Sequence, residues 1–94
     1  MRIRFMVEIQ VENHPTNKYY SLEIEKDLEF LPPVGFMIYV DEEGDYSEYE
    51  VDGHIGMNLS DSLVLVSLKG PEFESAEELE KEKEYLLKVG FKYQ

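Results

Sequence analysis

The side chains that could do chemistry in this sequence are carboxylates, tyrosines and one histidine that stands between two glycines. His54 lies in the segment Asp52-Gly53-His54-Ile55-Gly56, where the glycines would permit close approach to a ligand. With nearby carboxylates it could support a metal-dependent or hydrolytic reaction. The only other histidine, His14, is remote in sequence, and there is no cysteine and no HExxH motif. The pattern is therefore more typical of a structural histidine, and we predict no catalytic residue, no metal and no cofactor.

A run of carboxylates without a basic residue extends from Asp41 to Asp52. Carboxylate oxygens are the ligands that calcium prefers, but the spacing does not match an EF-hand loop, because Tyr46 stands where the invariant glycine belongs. Glu48 and Glu50 alternate along a predicted strand and would share one face instead of converging on one point. The run is more typical of a solvated hairpin than of a calcium site.

Tyrosines accompany this acidic run and suggest a surface for a basic protein. A tyrosine ring offers contact area, while carboxylates attract a positively charged partner. The opposite interpretation is that the tyrosines are half-buried strand residues. The candidate partner-binding residues are Tyr46, Glu48, Tyr49, Glu50, Asp52 and His54, with Tyr39 close to them.

Composition excludes several classes of function. The chain has 94 residues, 21 acidic against 9 basic side chains and a formal net charge of −12, so nucleic acid and anionic membranes would repel it. No apolar run approaches the ~18 residues of a membrane span. Without cysteine there is no disulfide or thiolate site. We expect a single domain over 1–94 in the cytoplasm, with no nucleic acid or membrane partner.

The elements that must position these residues begin with two strands. Apolar residues occupy every odd position from Met1 to Val11 except none, which is the pattern of a strand with one buried and one solvated face. Turn-forming residues at 13–17 precede a second alternating run from Tyr20 to Glu25. We expect a hairpin, with the first strand at an edge of the sheet where a second copy of the chain could pair with it.

Matching the apolar faces of the two runs gives a register for this hairpin. Ile9 would pair with Leu22, and Arg4 would stand opposite Asp27. The same register predicts a bulge near Lys26.

The middle of the chain predicts two further strands. Prolines 32 and 33 interrupt the sheet. Residues 36–40 are apolar at every position, which predicts a strand covered on both faces. A hairpin turn at 41–45, with Gly44 in the left-handed region, leads to a strand over 46–57, where Gly53 and Gly56 predict a bend or bulge.

The last third predicts a strand and a helix. A turn at 58–61 precedes an apolar strand at 63–68. Ser75 and Glu78 have the spacing of a capping box, and the helix should run to about Val89 before Gly90 ends it. The fold class is therefore α+β: a five-stranded, mainly antiparallel, curled sheet with one C-terminal helix, similar in element order to a partly open SH3-like barrel.

Three functions remain open. The first is a non-catalytic protein-binding or accessory module, inhibitor-like or immunity-like, with the acidic hairpin as its contact surface. The second is a self-associating structural protein that forms a homodimer through its N-terminal strand. The third is metal-dependent or hydrolytic activity around His54. The absence of catalytic motifs favours the first.

Overall fold

In a computed structural model, the described residues form six strands and one helix. The described residues are 1–11, 19–42 and 45–94, with the backbone alone at 41, 42, 45 and 46. The turn expected at 13–17, His14 and Gly44 lie outside them. The elements in chain order are β1 (Arg2–Gln10), β2 (Tyr19–Asp27), β3 (Met37–Glu42), β4 (Asp45–Asn58), β5 (Leu63–Lys69), α1 (Ala76–Val89) and β6 (Lys92–Tyr93).

The described strands form one mixed sheet in the order β3-β4-β5-β1-β2-β6, curled into a half-barrel. The β1–β5 pair is parallel and the other neighbouring pairs are antiparallel. The prediction of an α+β fold with a curled sheet is confirmed. The sixth strand arises because residues 92–93, after the helix, pair with β2.

β1 lies inside the sheet, so the prediction that it forms an edge is wrong. It pairs with β2 on one side, where Val7 faces Leu22, and with β5 on the other, where Val7 faces Leu68. Both rows of its backbone groups therefore have a neighbouring strand, and β1 offers no free edge to a second copy of the chain.

The predicted register of the β1–β2 hairpin is wrong by two residues. Ile9 pairs with Tyr20, Arg4 with Glu25 and Arg2 with Asp27, and the pairing is continuous through Lys26 without a bulge. Because side chains alternate with a period of two, this even shift leaves every side chain on its predicted face.

α1 covers the inner face of the sheet and closes the core. Its buried residues Leu79 and Leu86 pack with inner-face strand residues such as Phe5 and Val66. Its N-terminus is capped as predicted, because the Ser75 hydroxyl accepts a hydrogen bond from the amide of Glu78 at 3.2 Å. The Glu78 carboxylate, however, accepts from the amide of Glu74 at 3.3 Å instead of that of the cap residue.

The helix ends as predicted at Gly90, which adopts a left-handed conformation with φ of 118°. Positive φ favours glycine because it has no Cβ. The amide of the next residue, Phe91, donates to the carbonyl of Leu86 at 2.9 Å. Phe91 is buried, and this turn brings the chain back against β2 as β6.

Lys83 occupies the helix position where the apolar stripe is interrupted. Its side chain is only 13% exposed, and its ammonium lies 3.0 Å from the Glu80 carboxylate and 2.9 Å from that of Glu84. It also lies 5.0 Å from the centre of the Tyr20 ring. Paired carboxylates and an aromatic face allow a lysine to lie against the sheet where an apolar residue was expected.

β3 is an edge strand, so the prediction that residues 36–40 are covered on both faces is wrong. Ile38 and Val40 face the core, whereas Met37 and Tyr39 lie exposed on the outer face. The predicted irregularity in β4 is confirmed, since its pairing with β5 shifts between Val51 and Gly53 and again between His54 and Gly56. Among the described residues, no helix is long and apolar enough to cross a membrane.

Candidate functional site

The six predicted partner-binding residues of β4 divide between the two faces of the sheet. Glu48 and Glu50 are exposed on the outer face. Tyr49, which lies between them, points inward and is fully buried, so its assignment to a contact surface is wrong. Asp52 is exposed beside the first bulge. Tyr46 pairs with Asp41 through the backbone, and its side chain is outside the described part of the chain.

Tyr49 belongs to a polar cluster that fastens the sheet to the helix. Its hydroxyl donates to Oε2 of Glu82, while the Ser47 hydroxyl donates to Oε1 of the same carboxylate at 3.0 Å. Burial, together with the neighbouring Glu82 carboxylate, raises the pKa of Tyr49 well above its ordinary value near 10. The raised pKa keeps the phenol protonated, so Tyr49 acts as a hydrogen-bond donor and not as a base.

A close contact with Gly70 explains how this ring fits. A Cβ placed on Gly70 would lie 2.3 Å from Cε1 and 2.7 Å from Cδ1 of Tyr49. Separations this short do not occur between a real Cβ and a ring carbon. Gly70 is therefore required by the Tyr49 ring as well as by the end of β5.

His54 holds the connector before β3 against β4. Its Nε2 donates to the carbonyl oxygen of Pro32 at 2.8 Å. Among the described residues, no group of three histidine, aspartate or glutamate side chains is placed to hold a metal ion. The structure thus gives His54 a structural partner, and it brings no second catalytic group beside it within the described ranges.

The outer surface of the β3–β4 hairpin combines apolar and acidic side chains. Met37 pairs with Glu50 and Tyr39 pairs with Glu48, so the four side chains emerge on one side of the edge hairpin. All are exposed, and Tyr39 keeps 61% of its accessible surface. We call these four residues the hairpin face. Sequence analysis missed Met37 because a fully apolar run did not reveal which of its sides would be uncovered.

The carboxylates of the hairpin face differ from those on the other half of the outer sheet surface. Glu23 and Glu25 on β2 pair with the chain's only two arginines, with Arg4 Nε 2.8 Å from Glu23 and an Arg4 terminal nitrogen 2.6 Å from Glu25. These contacts lower the pKa of Glu25. Within the described residues, neither Glu48 nor Glu50 forms an ion pair. The acidic charge of the hairpin face is therefore uncompensated.

A second exposed surface lies on the C-terminal half of β4. Ile55 and Met57 are each 58% exposed, and Leu59 is 86% exposed. β3 pairs with β4 only up to Glu50, so no described strand accompanies residues 53–58 on the side away from β5. This half of β4 is thus an apolar edge.

Comparison with protein-family models, with curated proteins and with solved structures gave no match. The functional argument therefore depends on the residues and geometry of this chain alone.

Proposed function

We propose that this chain is a non-catalytic protein-binding module whose contact surface is the hairpin face, Met37, Tyr39, Glu48 and Glu50. The observation that carries the proposal is the placement of an exposed tyrosine and methionine directly opposite two carboxylates that no described cation neutralises. Tyrosine and methionine are enriched in protein interfaces, whereas isolated carboxylates at a rim mainly set the rate of encounter.

The partner is a protein with a basic surface. A formal net charge of −12 draws a positively charged surface towards the chain, and the hairpin face offers carboxylates that are free to pair with lysine or arginine. Inhibitor-like and immunity-like proteins work in this way, because they block or escort a basic target without a reaction of their own. Tyr49 and Glu82 support the surface from the inner side of β4 and make no direct contact.

The test compares two variants with the same change in charge. Glu48→Lys with Glu50→Lys reverses the hairpin face, whereas Glu29→Lys with Glu74→Lys makes the same change at two exposed carboxylates elsewhere. Immobilised wild type and variants are used to capture proteins from a lysate, and a captured protein is then purified and its association rate measured at increasing salt concentrations.

We expect a basic protein that the wild type and the Glu29/Glu74 variant retain and that the Glu48/Glu50 variant loses. Its association with wild type should slow steeply with salt. Equal loss from both variants would indicate attraction to net charge alone and would contradict a contact at the hairpin face. A Tyr39→Ala variant adds a second readout, because loss of an aromatic anchor should speed dissociation more than it slows association.

The apolar edge of β4 favours self-association as a second candidate function. The structure moves the available strand from β1, where the sequence suggested it, to residues 53–58 of β4, where Ile55 and Met57 are exposed. A second copy could pair with this edge in an isologous dimer. Sedimentation equilibrium of wild type and Ile55→Lys should then give dimer and monomer masses, and a monomeric wild type at high concentration would exclude this candidate.

A further inference from the structure

The inner face of the sheet contains an apolar cavity that α1 leaves uncovered. The curl of the half-barrel brings β3 near the far end of β2, so that Ile38 and Val40 face Ile24 and Leu28 across an opening. Val89, at the end of the helix, forms a third side. The floor consists of core residues, namely Phe5, Leu68 and Phe91.

The size and lining of this cavity suit a small apolar ligand. Its volume is about 350 Å³, which lies in the lower part of the range of ~300–1,000 Å³ for small-molecule sites. Aliphatic and aromatic side chains from β2, β3, α1 and the core contribute almost all of its surface. A straight hydrocarbon chain fits such a lining, because it requires no hydrogen-bond partner inside.

One charged residue, Lys26, lines the cavity at its opening. It occupies an inner-face position of β2, opposite Ile3, and it is exposed. Within the described residues it has no ion pair, although the chain has more than twice as many acidic as basic side chains. The adjacent carboxylate, Glu25, belongs to the outer face and pairs with Arg4 and Arg2. Lys26 is thus a cation available to a ligand in the cavity.

We propose that the cavity binds an unbranched aliphatic monocarboxylate of medium length, with its hydrocarbon chain between β2 and β3 and its carboxylate at Lys26. The apolar lining supplies affinity, and the ammonium at the opening supplies the preference for an anion. This site lies on the opposite face of the sheet from the hairpin face, so the two proposals can fail separately.

The probes are decanoate, decanol and decyltrimethylammonium, which share one chain length and differ in head-group charge. Titrations below the self-association concentration of each probe are followed by methyl NMR. We expect decanoate to shift the methyl signals of Ile24, Ile38, Val40 and Val89 and to leave those of Ile55 and Met57 unchanged. Decanoate should bind more tightly than decanol, and decyltrimethylammonium least tightly.

Two variants separate the charge from the cavity. Lys26→Met removes the ammonium and keeps an apolar stem, and it should weaken decanoate binding about two- to fivefold, the range for an exposed ion pair, while decanol binding stays unchanged. Lys69→Met, an exposed lysine on the outer face, is the matched control and should change neither. Val40→Phe should fill the cavity and abolish binding of both probes in a chain that remains folded by its NMR spectrum.

Three results would overturn the proposal. The first is the absence of any shift with decanoate. The second is equal binding of decyltrimethylammonium, since this would show that the ammonium of Lys26 has no influence. The third is a shift at Ile55 and Met57 as large as that at Ile24 and Val40, which would show general adsorption to exposed apolar residues.

Discussion

The inner face of the sheet is closed at one end of the helix and open at the other, although similar residues line both parts. Under the middle of α1, Tyr49 and Leu86 are fully buried, and hydrogen bonds to Glu82 fasten the helix to β4. Beyond the helix end, Ile24, Ile38 and Val40 are only partly buried around a cavity. The difference shows that coverage by the helix, rather than apolar composition of the strands, decides where the core is complete.

The largest expected effect concerns the closed part. Leu86→Ala should lower the free energy of unfolding by about 2–5 kcal/mol, because a fully buried leucine leaves a cavity that rigid neighbours cannot fill. Val89→Ala, at the open part, should cost clearly less, since Val89 already borders empty space. Urea unfolding of both variants measures the difference, and equal losses would contradict the distinction between the two parts.

The next effect tests the hydrogen bond of Tyr49. Tyr49→Phe should lower the free energy of unfolding by about 1.5–3 kcal/mol, because a carboxylate loses a donor in a buried position. The folded-state pKa of Tyr49 is raised, so its contribution is complete below the ordinary pKa near 10 and is lost as the pH rises above it. Wild type should therefore lose stability more steeply than the variant above pH 10, and parallel curves would contradict this.

Gly70→Ala tests whether the fit between Gly70 and Tyr49 is as tight as the geometry indicates. The added methyl group would overlap the ring, so we expect a loss of about 1–3 kcal/mol. Combining it with Tyr49→Leu, which removes the ring, should recover part of that loss in a double-mutant cycle. Gly53→Ala is the control, since no atom lies within 4 Å of a Cβ there.

The smallest effect concerns the boundary between the two parts. The Tyr85 hydroxyl donates to the carbonyl of Val40 at 2.9 Å and joins the helix to β3. Tyr85→Phe should cost about 0.5–1.5 kcal/mol. Hydrogen exchange should rise mainly in β3, beside the cavity, and an increase spread evenly over the sheet would contradict a local role.

The sequence predicts most elements because local patterns specify them. Alternation identifies β1, the Ser75 cap and Gly90 bound the helix, and Gly53 and Gly56 mark the bulges. The register of the first hairpin could not be predicted, because face matching alone allows shifts of two residues. The parallel pairing of β1 with β5 also escapes prediction, since nothing local specifies which distant strand will be a neighbour.

The candidate site is predictable to the same extent. The exposure of Glu48 and Glu50 follows from their alternation, and the same alternation could have placed Tyr49 on the buried side. The exposure of Met37 depends on β3 being an edge, and the cavity depends on how far α1 extends over the sheet. Both are properties of the assembled sheet.

The central position of β1 has a consequence for how the chain folds. β1 can pair early with β2, its neighbour in sequence, but its other partner, β5, joins it only after β3 and β4 have been synthesised. Contacts between residues as distant as Arg2 and Leu63 slow folding, because a long loop must close before they form. Until then one edge of an apolar strand is exposed to other chains. The acidic charge, distributed over the whole sequence, would keep such intermediates apart during this interval.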